Sequence, residues 1–168
     1  MTDNPIGLVI FDLAGTTVDY GCIAPLMAFI KGFRMMGITI TPAQARAPMG
    51  MEKRDHIRAI AAQPEVARQW QKTHGRPVAD TDIDAMYDAF TPLILKVLPQ
   101  HCDLIPGTLE TVYELNRVGI PFAATTGYFD EATDIVMEQA AAAGFLPHAH
   151  ICATRVRAGR PAPWMIYH

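Results

Sequence analysis

Cysteine is scarce in this chain. Its 168 residues include three, Cys22, Cys102 and Cys152, an odd number at wide spacing. That excludes a disulfide framework and offers no zinc-ligand spacing. A reducing, cytoplasmic setting is the expectation. Long apolar runs are also missing, and none approaches the roughly 20 residues of a membrane-spanning helix. No Lys/Arg run occurs and the net charge is −3, which argues against a nucleic-acid surface. The first residues carry Asp3 and no basic stretch, so they do not read as a secretory signal. Internal repeats and low-complexity linkers are absent. What remains is ordinary for a globular chain: half the residues are hydrophobic and 18% are charged. A core of fair size is possible at this length.

The stretch Leu8-Val9-Ile10-Phe11-Asp12-Leu13-Ala14-Gly15-Thr16-Thr17 organises the rest. A continuous apolar run bounded by turn residues predicts a fully buried, parallel-type strand. In open α/β sheets ligands sit beyond the carboxyl ends of the strands, where this run places Asp12. Gly15 lets backbone come close to a ligand. A carboxylate at that end can be a nucleophile, a metal ligand or the N-cap of the next turn.

After this strand the pattern turns helical. Residues 25–36 read as a helix, with Pro25 near the start and Gly37 as the stop. Thr41-Pro42-Ala43-Gln44 is a capping-box pattern. Further helices are expected over 50–62 and 64–74, and a longer one from Thr81. In that last helix Ile83, Met86, Tyr87, Phe90, Ile94 and Val97 share a face, and Pro92 should bend it. From Ile105 the α/β pattern returns: helix 106–117, strand 120–125, helix 130–143, strand 150–153, and a helix opening at Pro161. The organisation is therefore an α/β core, residues 1–20 and 100–168, interrupted by an all-helical cap, residues 21–99. Only three strands are laid down, and Trp164, Met165, Ile166 and Tyr167 have nothing after them to pack on. The expectation is that further core strands are missing from this sequence.

One helix face carries unusual chemistry. Met49, Lys53, His56, Ile57 and Ile60 are spaced by three or four residues. A lysine on such a stripe is desolvated, which favours its neutral, nucleophilic form and permits a Schiff base with an aldehyde. His56, one turn on, could shuttle protons. The alternatives are a lysine that snorkels to water and a surface histidine. Thr126-Gly127 after the second strand could hold a phosphoryl oxygen, or form an ordinary turn. Arg160 offers a cationic fork to the same group, or stays solvated.

The order strand–Asp12, helical insertion, strand–Thr125-Thr126-Gly127, then Arg160-Pro161 resembles the haloacid dehalogenase superfamily. Ala14 stands where most phosphatases of that superfamily carry an acid for the leaving group. Phe11 to Cys22, Ala47-Pro48-Met49-Gly50 with Lys53 and His56, Thr125-Thr126-Gly127-Tyr128 and Gly159-Arg160-Pro161 resemble the phosphonoacetaldehyde hydrolase family within it. The resemblance implies a Rossmann-like parallel-sheet core with an inserted helical cap. It implies a Lys53 imine with the substrate aldehyde, attack of Asp12 on phosphorus, and an enamine leaving group that needs no acid at position 14. His56 would assist. Cys22, Met49, Thr126, Gly127, Tyr128 and Arg160 would bind substrate. Mg2+ would be held by Asp12 and the Ala14 carbonyl, and a homodimer would form through the cap. The family continues into a further strand bearing acidic magnesium ligands, which lies beside the Asp12 strand; here that strand is absent, so β-edge exposure of Asp12's strand is expected. A general capped phosphatase, or an inactive shorter chain with only a binding or dimerisation role, are the other readings.

Overall fold

The computed structural model describes residues 6–167. Its elements run β1 (Val9–Asp12), α1 (Ile23–Met35), α2 (Pro42–Arg46), α3 (Lys53–Ala61), α4 (Pro64–His74), α5 (Asp80–Val97), α6 (Thr108–Arg117), β2 (Phe122–Thr126), α7 (Asp130–Ala142) and β3 (Ala149–Cys152). The three strands form one parallel sheet in the order β1-β2-β3. Val9 pairs with Phe122 and Asp12 with Thr125, while Thr126 pairs with Cys152. That register brings the carboxyl ends of all three strands to one rim. α1 to α5 form the insertion between β1 and β2.

Period-two alternation divides the sheet. Phe122 and Ala124 point into the core, where the Phe11, Phe122 and Phe145 rings meet at centroid distances of 5.6–6.0 Å. The opposite face, with Ile10, Ala123 and Ile151, lines an open depression. β1 is only half-buried, which corrects the expectation of a fully buried strand. Its position is the reason: among the described residues it is an edge strand with one covered face.

The helical insertion has its own core. Phe29 stacks between His56 and Phe90 at 3.9 and 4.6 Å, and Phe33, Ile57, Ile60, Ile83 and Ile94 close around them. Burying each such side chain contributes about 1.5–3 kcal/mol. On α5 the expected face holds, with Ile83, Met86, Phe90 and Ile94 buried and Tyr87 and Val97 half-buried; the helix continues through Pro92. The Thr41 capping box forms in both directions, Gln44 N to Thr41 Oγ1 at 3.1 Å and Thr41 N to Gln44 Oε1 at 2.8 Å.

Most expected boundaries hold to within two residues, and two expectations change further. The helix expected from residue 50 begins at Lys53, because Gly50 has φ +94° and Glu52 caps the helix, accepting from the Arg54 and Asp55 amides at 3.0 and 3.1 Å. The helix expected at Pro161 is a short 3₁₀ turn, Pro163–Met165. Two prolines there remove donors and hold the residue before each out of the helical region; Ala162 has ψ 142°. Met165 is buried, whereas Ile166 and Tyr167 are exposed. His168 lies outside the described residues.

Candidate active site

The end of β1 is tied down by its own loop. Leu13 O accepts from the Thr16, Thr17 and Val18 amides at 2.9–3.1 Å. The Thr17 hydroxyl donates to Asp12 O at 3.0 Å. Gly15 has φ +84°, and a Cβ there would lie 2.5 Å from Cys22 Sγ. Cys22 Sγ in turn donates to Ala14 O at 3.3 Å. The capping considered for Asp12 is done by the Asp19 side chain, which lies three residues before the N-cap position Cys22 and accepts from the Ile23 and Ala24 amides at 2.8 and 3.0 Å. Burial raises the Asp19 carboxyl, and the two amides oppose that rise. Asp12 is thus left free to face the rim.

Asp12 meets Arg160 there. Arg160 Nη2 donates to Asp12 Oδ1 at 2.7 Å and to Thr125 Oγ1 at 3.4 Å. Both side chains are about one-third exposed, 28% and 32%. Sequence reasoning gives Thr125 no role. Its pairing with Asp12 and its place on the half-open face of β2 put its hydroxyl beside the ion pair. Strand periodicity separates it from Thr126, which is buried and accepts from the Tyr128 amide at 3.2 Å.

Lys53 opens α3 and is 4% exposed. Its amine lies 4.7 Å from the centre of the Tyr128 ring. Burial pushes that amine down to about 8; the Asp12 charge opposes the fall and the Arg160 charge adds to it. The lysine does not snorkel: its amine is buried against Tyr128, in the loop after β2, where cap meets core. Tyr128 is fully buried, its hydroxyl without a partner, and burial raises its phenol well above 10.

His56 is not a surface histidine. It is completely buried, its ring stacked on Phe29, with Nε2 donating to Ala45 O at 2.8 Å. Nδ1 is therefore the unprotonated nitrogen, and it has no partner. Burial first, and then the Lys53 charge, lower the ring to about 3. At neutral pH the ring is therefore neutral, with its one N–H engaged by Ala45 O and Nδ1 open as an acceptor.

Cap and core touch closely here. A Cβ on Gly127 would stand 2.5 Å from Met51 O and 2.9 Å from Gly50 O. Beside this contact opens a cavity of about 620 Å³, lined by Met49, Met51, Thr125, Arg160, Pro163 and Met165 among others. Its walls are mostly apolar, with Arg160 and Thr125 as the polar groups. Such a space suits a small anionic ligand whose charged end meets Arg160.

The residues do not make a magnesium site by themselves. Asp12 and the Ala14 carbonyl supply two kinds of oxygen donor, whereas magnesium takes six ligands in octahedral geometry. Asp12 Oδ1 and Ala14 O are each already engaged, by Arg160 and Cys22. Among the described residues no group of three or more His, Cys, Asp or Glu side chains is arranged to hold a metal. Among them, too, no helix is long and apolar enough to cross a membrane.

Comparison with known proteins bears on the family and the fold. Phosphonoacetaldehyde hydrolase of Bacillus cereus (strain AH187) is 44% identical over 162 residues, 96% of this chain and 61% of that protein. A crystal structure of a phosphonoacetaldehyde hydrolase-like protein from Oleispira antarctica superposes with a TM-score of 0.91 at 37% identity, covering 95% of this chain and 58% of the other. A hydrolase from Pseudomonas syringae, 16% identical, shares the fold with a TM-score of 0.70 over 96% of this chain and 68% of its own. The chain spans about three-fifths of the length of the curated relatives it matches. The family model for haloacid dehalogenase-like hydrolases matches residues 6–168, and the chain belongs to that family.

Proposed function

We propose that this chain carries the chemistry of a phosphonoacetaldehyde hydrolase, cleaving the C–P bond to acetaldehyde and phosphate. The observation that carries the proposal is the buried Lys53 amine, held near 8 and coupled to the Asp12 charge. At pH 7 about a tenth of such an amine is neutral, against well under a thousandth of an ordinary lysine. The neutral amine adds to the substrate aldehyde carbon; the carbinolamine takes up a proton from solvent and loses water, leaving an iminium bonded to Lys53. Asp12 then attacks phosphorus through a carboxylate oxygen. The C–P electron pair moves into the carbon chain as the iminium becomes an enamine. That group leaves without a proton, consistent with Ala14 in place of an acid. The enamine takes up a proton and water releases acetaldehyde from Lys53. Water also hydrolyses the aspartyl phosphate.

The other residues fill supporting roles in this reading. Arg160, already bonded to Asp12, presents its fork to the phosphonate oxygens with Thr125 beside it, and the Gly127 amide adds a donor; Thr126 acts from beneath by holding the Tyr128 amide. Met49 and Tyr128 exclude water from the amine. Cys22 holds the Asp12 loop through Ala14 O. His56 can accept a proton only transiently, through Nδ1. The helical insertion, residues 21–99, acts as the cap, and exposed Met27 and Met35 on α1 support a homodimer through it. Incubation with phosphonoacetaldehyde and borohydride tests the central step. A two-carbon adduct mapped to Lys53, and lost in Lys53→Arg, is expected. Phosphate release at an unchanged rate by Lys53→Arg would refute the mechanism. Faster turnover of a simple phosphate monoester would favour a general phosphatase instead.

A further inference from the structure

Two loops at the sheet rim press glycines against the same short piece of the cap. Gly127, after β2, meets the carbonyls of Gly50 and Met51. Gly159, after β3, meets Glu52: a Cβ there would lie 2.7 Å from Glu52 Cβ, 3.3 Å from Glu52 Cγ and 3.2 Å from Ala153 Cβ. The backbone of Gly159 does not need glycine, since its φ lies outside the left-handed region. Its turn does not need it either. Gly159 O accepts from the Ala162 amide at 3.0 Å, which is the first position of a turn and takes most residues. What alanine cannot meet at this position is the approach of Glu52. Each partner in the contact stands one residue before a charged group of the site: Glu52 before Lys53, and Gly159 before Arg160.

We propose that Gly159 is a positioning residue, whose missing side chain sets how closely the start of α3 docks on the core and so where Lys53 and Arg160 stand relative to Asp12. Saturated carbons in contact rest about 3.5–4.0 Å apart. A methyl group at this position therefore forces roughly 1 Å of separation on a segment that is short and anchored. A displacement of that size at reacting groups costs on the order of 10²-fold in rate. The catalytic consequence rests on the function proposed above; the docking contact itself does not.

The test compares Gly159→Ala, Glu52→Gly and the pair Glu52→Gly/Gly159→Ala. Glycine in place of Glu52 removes the Cβ and Cγ that the added methyl group would strike, and it remains an acceptable N-cap for α3. Competitive acetylation with acetic anhydride, read by mass spectrometry against pH, reports each lysine separately. Lys31, Lys72 and Lys96 lie outside the buried core and serve as internal references. In the parent chain Lys53 should label slowly, with a midpoint near 8. In Gly159→Ala it should label faster, with its midpoint moved toward that of the reference lysines, and borohydride trapping should slow by about 10²-fold. The double variant should recover most of both relative to Glu52→Gly alone. Gly159→Ala with the parent's Lys53 labelling profile would overturn the proposal. So would a Gly159→Ala defect, in labelling or in thermal melting, that Glu52→Gly does not relieve. If the labelling pattern appears as expected but the parent yields no Lys53 imine, the docking role stands and the proposed chemistry fails.

Discussion

Arg160 Nη2 and Asp12 Oδ1 lie 2.7 Å apart although 148 positions separate them in sequence. The pair joins the first strand to the loop after the third, across the rim where all strands end. It brings the candidate nucleophile and the candidate phosphoryl-binding cation into one contact before any ligand arrives.

That contact allows the two half-reactions to be separated. Asp12→Asn removes the nucleophile and leaves the aldehyde-capturing amine. Because the Asp12 charge raises Lys53, its loss should lower the amine further, not silence it. Borohydride should still fix an adduct on Lys53, while phosphate release falls by about 10⁴-fold or more. Loss of both together would show that Asp12 also assembles the amine's environment.

Imine formation should follow the neutral fraction of Lys53. Trapping should rise with pH to a midpoint near 8 and then level off. A midpoint near that of an exposed lysine would mean that cap and core are not docked in solution.

His56 should make the fold acid-sensitive. Its folded-state pKa of about 3 lies below the unfolded value of 6.5, so the unfolded chain binds the proton more readily. Its contribution to stability is complete above about 6.5 and is lost as pH falls toward 3. His56→Gln should keep a donor for Ala45 O, lower stability at pH 7 and flatten that acid slope. Denaturant unfolding at several pH values measures it. Lys53 acts in the same sense at higher pH, stability rising between about 8 and 10.5.

Gly15→Ala should destabilise through backbone and packing at once. The left-handed φ costs about 1–2 kcal/mol, and the new Cβ meets Cys22 Sγ at 2.5 Å. Thermal melting should fall by several degrees, at roughly 2–4 °C per kcal/mol for a chain of this size. Cys22→Ala in the same background should return part of the loss, since it clears the sulfur. Equal melting of Gly15→Ala and the parent would show that this loop is not held as described.

Most of the secondary structure was legible in the sequence, for local reasons. Capping residues, prolines and glycine stops mark the ends of α2 and α4, and periodicity marks the buried face of α5. The misjudged boundaries are also local in origin. Gly50 and Glu52 delay α3, and Pro161 with Pro163 break what reads as an apolar helix. The candidate site was legible in its residue types and in the desolvation of Lys53, but not in the burial of His56. Lys53 and His56 sit on one helical stripe, and the packing of Phe29 and Tyr128 around them makes one amine weakly basic and the neighbouring ring neutral.

Taken alone, the sequence determined the alternation of strand and helix, the interruption after the first strand, and the set of reactive groups. These follow from periods of 2 and 3.6 and from short-range capping, which a linear chain encodes within a few residues. Tertiary structure alone decided which of two adjacent threonines faces Arg160, that Asp19 and not Asp12 caps α1, and that Gly159 receives Glu52. Each depends on strand register and on the approach of segments far apart in the chain, where a difference of an ångström separates contact from clash.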